Sequence, residues 1–318
     1  MTDSTLFQPD TALTEVRALL GEVSQAIFTL TRSAADPVID ALDPERRGAV
    51  FMLMTAAGRE PDALTVADLN RRTPYTASDT QAQPLAHTAS KGYLVESPQG
   101  AYRMTTEGKA ALQRLVSAFY QRLGELEAAL APAISIDDLA RTANDLMRLA
   151  DACRTTAIDT WGTQLSHGLA PKKPAAALAH IDQAIDDLNA FRDDAHLAAW
   201  RPYGISANAW ELFTFLWRGE VKNAAEFAEK AERRGHSLAV HQAALAELID
   251  RGWVQAAGED AYALTDTGRK VREAAEAETD RHYYSPWTVL DRKQLADLRD
   301  RLTQLKAGLA QLAEPVPA

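Results

Sequence analysis

The chain has 318 residues, of which 46% are hydrophobic and 25% are charged, and its formal net charge is −10 at pH 7. This length accommodates two domains of ordinary size, and the composition is that of a globular protein rich in helix-forming residues. The acidic balance disfavours loose adhesion to DNA or to anionic membranes, because such adhesion depends on an excess of basic charge, although a local basic face remains compatible with it.

The beginning of the chain predicts two helices. Apolar residues at spacings of three and four predict an amphipathic helix over residues 11–31. Asp43 is a favourable N-cap and Pro44 a favourable first helical residue, so a second helix is predicted from there to about Gly58. We find no run of about 18 apolar residues and no secretory leader pattern, and we therefore expect a cytoplasmic protein with no membrane partner.

The next part of the chain predicts a helix-turn-helix followed by a hairpin. Thr65 and Thr76 each precede an aspartate by three residues, which predicts the N-caps of two short helices joined by a tight turn. Pro84 lies within the second of these helices and indicates either a bend or a later helix start. Gly92 ends that helix, and strand-forming residues on both sides of a turn predict a small hairpin over residues 93–105.

The rest of the chain repeats this plan after a linker. Long helices are predicted from Thr106 and from Ser135, and the stretch 166–177, with its prolines and lysines, predicts a linker. A second series follows, with a helix over residues 178–200, three capped helices, a second hairpin and two closing helices. The caps are Ser206, Asn223 and Ser237, the hairpin covers residues 253–265, and the closing helices cover residues 267–282 and 291–312.

The two series align with each other at an offset of 160 residues. Residues 91–109 match residues 251–269 without gaps, where chance gives roughly one identity. The period is that of a small domain rather than of a solenoid repeat, so the sequence predicts two modules, residues 1–165 and 166–318. The identical pairs are Gly92/Gly252, Ala101/Ala261, Tyr102/Tyr262, Thr105/Thr265 and Gly108/Gly268.

This order of elements resembles that of the MarR family of winged helix-turn-helix transcriptional regulators, present here as two copies in tandem. The resemblance rests on the ends of the third helices, residues 91–94 and 251–254, and on the hairpin exits, residues 104–109 and 264–269. It implies a mainly α fold in which two winged helix-turn-helix lobes, with small β-hairpin wings, are joined by a long-helix body as an intramolecular pseudo-dimer. It also implies a DNA-binding transcriptional regulator whose partner is double-stranded DNA, with the third helices about 34 Å apart.

Polar and basic side chains around the two third helices are the candidates for DNA contact. Polar side chains at the start of a recognition helix contact base edges, and basic residues around it and on the wing hold phosphates. In the first copy these are Arg71, Arg72, Thr76, Ser78, Thr80, Gln81, Gln83 and Arg103. In the second copy they are Arg233, Arg234, Ser237, His241 and Gln242.

Other features favour a different interpretation. Neither third helix has an arginine or lysine in its first two turns, and the second hairpin carries Glu259 and Asp260 where an arginine is expected. On this alternative, the polar residues are an ordinary solvated helix face. The protein is then a winged-helix module for protein interaction or ligand sensing that no longer binds DNA.

Aromatic residues where the long helices meet the lobes suggest a ligand site. MarR-like proteins often hold a small aromatic, frequently anionic, effector at this place, and aromatic rings with one cation are typical of a ligand pocket. The alternative is that these rings pack a hinge. The candidate ligand-binding residues are Trp200, Arg201, Tyr203, Tyr283, Tyr284 and Trp287.

The sequence shows no pattern typical of catalysis or metal binding. His236 and His241 are five residues apart, which is not a helical ligand spacing, and no nucleophile elbow, phosphate loop or carboxylate pair is present. We therefore expect no enzyme activity, no cofactor and no metal. Cys153 is the only cysteine, and it is either a packed helix residue or, if exposed with a lowered pKa, a reactive thiol.

Overall fold

A computed structural model describes residues 6–171 and 175–313 of the chain. These residues form thirteen α-helices and two two-stranded antiparallel sheets, which confirms the predicted mainly α class. Among these helices, none combines the length and the apolar composition that crossing a membrane requires. The helices are α1 (Thr11–Leu42), α2 (Ala49–Arg59), α3 (Val66–Arg72), α4 (Ser78–Ser90), α5 (Thr106–Ala129), α6 (Ile136–Arg154), α7 (Trp161–His167), α8 (Ala177–Trp200), α9 (Ala207–Trp217), α10 (Ala224–Lys230), α11 (Leu238–Asp250), α12 (Asp266–Tyr284) and α13 (Arg292–Ala313). The strands are β1 (Leu94–Glu96), β2 (Tyr102–Met104), β3 (Val254–Gly258) and β4 (Ala261–Leu264).

The described residues group into two compact units, each assembled from several stretches of chain. The smaller unit contains residues 6–8, Thr65–Gln83 and Ala195–His282. The larger unit contains Pro9–Leu64, Pro84–Asp194 and the chain from Tyr283 onwards. Because residues 65–83 belong with the second half of the chain, the units do not coincide with residues 1–165 and 166–318. Those two modules remain a prediction about the sequence repeat.

Long helices form the body of the larger unit. α1 packs along α13 and against α5, and α13 also packs against α6. The sides of α1 that face these partners are apolar, because Val16, Leu20, Val23 and Ile27 are buried. Each fully buried side chain of this size contributes about 1.5–3 kcal/mol to folding. Leucines at helical spacing in α6 and α13 are also buried, namely Leu139, Leu146, Leu149, Leu295, Leu302 and Leu305.

The boundary between α1 and α2 differs from the prediction. α1 continues through Pro37 to Leu42, and α2 begins at Ala49 rather than at Asp43. Pro44 disfavours the helical conformation in the residue before it, so Asp43 ends α1 instead of starting α2. The Asp43 carboxylate accepts a hydrogen bond from the amide of Ala49 (2.9 Å). Asp43 therefore still caps α2, although it lies six residues before Ala49.

Aromatic side chains form the core of the smaller unit. Trp210, Phe213 and Phe227 are fully buried. The ring of Trp210 stacks on Trp200, at 5.6 Å between centroids, and on Tyr203, at 5.7 Å. Stacked rings at these separations add about 0.5–1.5 kcal/mol beyond their burial. This core fixes the turn after α8 against α9.

A buried arginine completes this core. The Arg272 side chain has no exposed surface, and its guanidinium lies 4.8 Å from the ring centroids of both Trp210 and Trp217. Its Nη2 donates to Glu276 Oε1 (2.7 Å). Burial lowers the pKa of Arg272, and the charge of Glu276 opposes this. Cation–π contacts with a desolvated guanidinium contribute about 2 kcal/mol, which offsets part of the burial.

Candidate nucleic-acid interface

Two segments of the chain contain helices of the same order and length. In the first segment (residues 49–104), α2, α3 and α4 have 11, 7 and 13 residues and precede the β1–β2 hairpin. In the second segment (residues 207–264), α9, α10 and α11 have 11, 7 and 13 residues and precede the β3–β4 hairpin. Both hairpins lie where the sequence predicts them.

A threonine after each hairpin starts the following helix in the same way. The hydroxyl of Thr105 accepts a hydrogen bond from the amide of Gly108 (2.9 Å). The hydroxyl of Thr265 accepts one from the amide of Gly268 (3.0 Å). This is the side-chain N-cap geometry that satisfies an otherwise unpaired amide in the first turn of a helix.

The same threonines also hold the glycine that ends each third helix. The hydroxyls of Thr105 and Thr265 donate to the carbonyls of Gly92 and Gly252, each at 2.7 Å. These glycines have φ angles of 78° and 69°, a left-handed conformation that favours glycine. Three of the identical pairs, Gly92/Gly252, Thr105/Thr265 and Gly108/Gly268, therefore form the same hydrogen-bonded structure in both segments.

Within the smaller unit, the start of α4 meets the turn that precedes α11. The amide of Ala77 donates to the carbonyl of Arg234 (2.8 Å), and Nη1 of Arg234 donates to the hydroxyl of Thr76 (3.3 Å). Thr80 packs closely on Gly235, because a Cβ at that glycine would lie 1.8 Å from the Thr80 hydroxyl oxygen. The start of α4 is thus in direct contact with the turn that leads into α11.

Arg234 is fixed by several partners at this contact. Its Nε and Nη2 donate to Glu211 Oε1 (3.1 and 2.7 Å), and its guanidinium carbon lies 5.7 Å from the centroid of the Tyr75 ring. Nε2 of His236 lies 3.1 Å from the carbonyl oxygen of Tyr75, whose ring packs against Trp200. Burial raises the pKa of Glu211, and the charge of Arg234 offsets this only in part.

A family model matches residues 105–314, which is more than half of the chain, and its description is a helix-turn-helix family. The chain belongs to this helix-turn-helix family. Membership indicates a DNA-binding regulator in general terms. No curated protein matches the chain, and no solved structure does.

Most of the DNA-contacting residues predicted for this helix-turn-helix protein reach the surface. Arg103 is exposed on β2 in the larger unit, where its Nη1 donates to the carbonyl of Pro61. The other surface residues lie in the smaller unit. They are Arg71, Ser78, Gln83, Arg233, Ser237 and Gln242, together with the half-buried Arg72. Thr76, Thr80 and Arg234 are engaged in the contact between the two third helices.

Gln81 and His241 do not reach the surface, which corrects the prediction that they contact DNA. Gln81 is 7% exposed, and its Nε2 donates to Asn70 Oδ1 (2.8 Å) and to the carbonyl of Thr73 (2.9 Å). His241 is fully buried with its ring 4.8 Å from that of Phe227, and burial lowers the pKa of its imidazole. Both side chains hold the helix-turn-helix together.

Two exposed arginines of the smaller unit were not among the predicted DNA contacts. Nη2 of Arg201 donates to the carbonyl of Arg71 (2.7 Å) at the end of α3. Arg251 donates to the carbonyls of Tyr203 (2.9 Å) and Gly204 (2.6 Å), in the turn that Arg201 begins. The sequence could have indicated Arg251, because this residue aligns with the basic residue Lys91 in the repeat. Arg201 had no such signal, because its partner is 130 residues away.

The predicted ligand-binding residues fall into two clusters. Trp200 and Tyr203 belong to the core of the smaller unit, and Arg201 is bound to α3. In the larger unit, the rings of Tyr283, Tyr284 and Trp287 pack on one another, with centroids 5.0–5.5 Å apart.

A cavity of about 390 Å³ lies beside the second of these clusters. Tyr283 and Tyr284 line it, together with Arg17 of α1. The Arg17 guanidinium lies 5.5 Å from the centroid of the Tyr283 ring. Prediction from the aromatic motif alone missed Arg17, because α1 is separated from it by most of the chain.

Cys153 is a packed helix residue. Its side chain has no exposed surface, and burial raises the pKa of the thiol. Because the thiolate is the reactive form, this position disfavours the reactive-thiol interpretation. Among the described residues, no group of three or more His, Cys, Asp or Glu side chains is placed to hold a metal ion.

Proposed function

We propose that the protein is a DNA-binding transcriptional regulator built from two tandem MarR-like winged helix-turn-helix copies, residues 1–165 and 166–318, which form an intramolecular pseudo-dimer. The observation that carries this proposal is the recurrence, in the second segment, of the same helix lengths, of a β-hairpin at the same place and of the same threonine and glycine hydrogen bonds. The packing of α1 against α13 supports it, because the first helix of one copy shares an apolar interface with the last helix of the other.

The proposed DNA contacts are the side chains of the smaller unit that remain at its surface. Arg71 and Arg72 lie at the end of α3, and Arg233 lies before α11. Their guanidinium groups suit phosphate, and Ser78 and Gln83 of α4 suit phosphate and base edges. A local group of arginines permits DNA binding by a chain whose net charge is negative.

Removal of two of these charges tests the proposed interface. In the double variant Arg71→Gln/Arg72→Gln, affinity for a duplex selected from a random pool is expected to fall about tenfold, and the slope of log K against log salt to fall by about 2. Fluorescence anisotropy at several salt concentrations measures both. The matched control is Arg292→Gln/Lys293→Gln, which removes two exposed charges from α13 and leaves binding unchanged. Equal losses in the two double variants would refute the assignment of this surface.

An aromatic anion is the effector that we propose for the cavity beside Tyr283. The rings of Tyr283 and Tyr284 offer apolar surface, and the guanidinium of Arg17 offers a partner for a carboxylate. Benzoate is expected to raise the melting temperature of the protein, since a ligand that binds only the folded state stabilises it. The variant Arg17→Gln should abolish this rise. A rise of the same size in that variant places the ligand elsewhere.

A second candidate function follows from the exposed face of α11. Leu238, Val240 and Ile249 are exposed there, where a recognition helix carries polar side chains, and Glu259 and Asp260 are exposed at the second hairpin. These features favour a protein-interaction or ligand-sensing module that no longer binds DNA. A DNA-binding measurement on the unmodified protein distinguishes the two functions. The first function predicts salt-dependent binding, and the second predicts none.

A further inference from the structure

We infer that the two helix-turn-helix segments contact DNA as one composite surface with a single contiguous site, and not as two readers of half-sites one helical turn apart. This inference rests on the proposed function. It concerns the kind of DNA site that the smaller unit fits.

The distance between the starts of the two third helices carries the inference. Recognition helices that read separate half-sites lie about 34 Å apart, one turn of the duplex. Here the amide of Ala77, one residue before α4, is hydrogen-bonded to the carbonyl of Arg234, four residues before α11, at 2.8 Å. Two helix starts joined in this way cannot occupy successive major grooves.

The contact between the helix starts is built from several independent interactions. Arg234 binds Glu211 and Thr76 and lies over the ring of Tyr75. Gly235 has a φ of 75° and no side chain, which permits the close approach of Thr80. A charged pair with part-buried hydrogen bonds and a glycine-dependent close approach are features of a fixed packing contact.

The surface around this contact has the chemistry of a phosphate-binding face. Arg201 and Arg233 are exposed, and neither forms an ion pair with a described residue. Arg71, whose carbonyl Arg201 binds, is also exposed. Acidic side chains also lie close to these arginines along the chain, namely Asp68, Asp79, Glu229 and Glu232. The arginines come from both segments, so a single DNA backbone can be contacted by both at once.

Disruption of this contact tests the inference. In the variant Gly235→Ala, the new Cβ would lie 1.8 Å from the Thr80 hydroxyl oxygen, so the two segments are forced apart. Affinity for the duplex selected by the unmodified protein is expected to fall by more than about tenfold, because the composite surface is broken. The matched control is Gly219→Ala in the same unit. Gly219 also has a positive φ, of 68°, but a Cβ there meets no atom within 4 Å, so its affinity should stay within about threefold.

If Gly235→Ala is folded by circular dichroism and binds as tightly as Gly219→Ala, the composite surface is overturned, because DNA binding then does not need the contact between the segments. Hydroxyl-radical footprinting of the unmodified protein gives a measurement that does not depend on the variant's folding. One protected stretch supports the inference, and two stretches centred about 10 base pairs apart overturn it. If no form of the protein binds any duplex, the proposed function fails, and the inference fails with it.

Discussion

Replacement of Gly108 or Gly268 by alanine is expected to destabilise the protein by about 3 kcal/mol, a large fraction of the stability of a typical domain. A Cβ at these positions would lie 2.1 Å from the carbonyl oxygen of Tyr93 and 2.0 Å from that of Trp253. Real Cβ atoms do not approach backbone oxygens so closely, so either the helix or the hairpin must move.

The hairpin is not free to move, because both carbonyl oxygens are already hydrogen-bonded. The amide of Thr105 donates to the carbonyl of Tyr93, and that of Thr265 to the carbonyl of Trp253, each at 3.0 Å. Displacing these carbonyls breaks a hydrogen bond that joins each hairpin to the following helix. The destabilisation should therefore be similar at the two glycines.

Gly124 provides the matched control for this substitution. It lies in α5, the same helix as Gly108, and a Cβ there meets no atom within 4 Å. Alanine in a helix interior is favoured over glycine by about 0.5–1 kcal/mol, so Gly124→Ala should be neutral or mildly stabilising. Urea unfolding followed by circular dichroism measures all three variants. If Gly108→Ala and Gly124→Ala unfold at the same urea concentration, the close packing of hairpin on helix is not present.

The same glycines show what the sequence could and could not predict. Their identity in the repeat was visible, and hairpins were predicted over residues 93–105 and 253–265, where they are found. Capping by Thr65, Ser206 and Asn223 was also predicted and is present. These features depend on hydrogen bonds between residues close in sequence, which local patterns report.

The helix boundaries that the sequence missed include the end of α1 and the start of α4. α1 was predicted to end near residue 31 but runs through Pro37 to Leu42, whose side chain is buried. Thr76 was predicted to cap α4, but α4 begins at Ser78 and the Thr76 hydroxyl accepts a hydrogen bond from Arg234. In the second case a distant side chain takes the place of a local cap.

The candidate site depends most on contacts that no local pattern reports. Thr80 and Gly235 are 155 residues apart and touch, so the other segment packs on one side of the start of α4. A helical pattern shows that two faces of α4 differ, but it does not show which segment covers either face. Gln81 was assigned to the exposed face, but it is buried within its own segment, where its Nε2 donates to Asn70 and to the carbonyl of Thr73.

Substitution of Asp182 by asparagine is expected to stabilise the protein above pH 7 and to have little effect near pH 4. Asp182 lies on α8 in the larger unit. Burial raises the pKa of its carboxyl from the ordinary 3.8 to about 7, and the charge of Asp186 adds to this. The nearby Tyr120 is affected in turn, since burial and the charge of Asp182 raise the pKa of its phenol to about 12.

The sign of the pH dependence follows from the two pKa values of Asp182. Below pH 3.8 the carboxyl is protonated in both the folded and the unfolded chain, and it contributes no penalty. Between pH 3.8 and about 7 the unfolded chain ionises while the folded one keeps its proton, so stability falls as the pH rises. Above pH 7 the folded protein carries the buried charge, at a cost of about 2–4 kcal/mol. Asparagine has the same shape and no charge, so Asp182→Asn removes this loss.

Urea unfolding of the unmodified protein and of Asp182→Asn at pH 5, 6, 7 and 8 should give a stability difference that grows with pH and levels off above about pH 7. The matched control is Asp186→Asn, which removes an exposed carboxylate from the same helix, four residues away. That variant leaves the Asp182 carboxyl buried, and burial is the larger cause of its raised pKa, so the variant should keep most of the pH dependence. A stability difference between Asp182→Asn and the unmodified protein that is constant from pH 5 to pH 8 would show that Asp182 is ionised in the folded protein throughout. The Asp182 carboxylate would then be solvated or paired in the folded protein. The burial that raises its pKa would not be present.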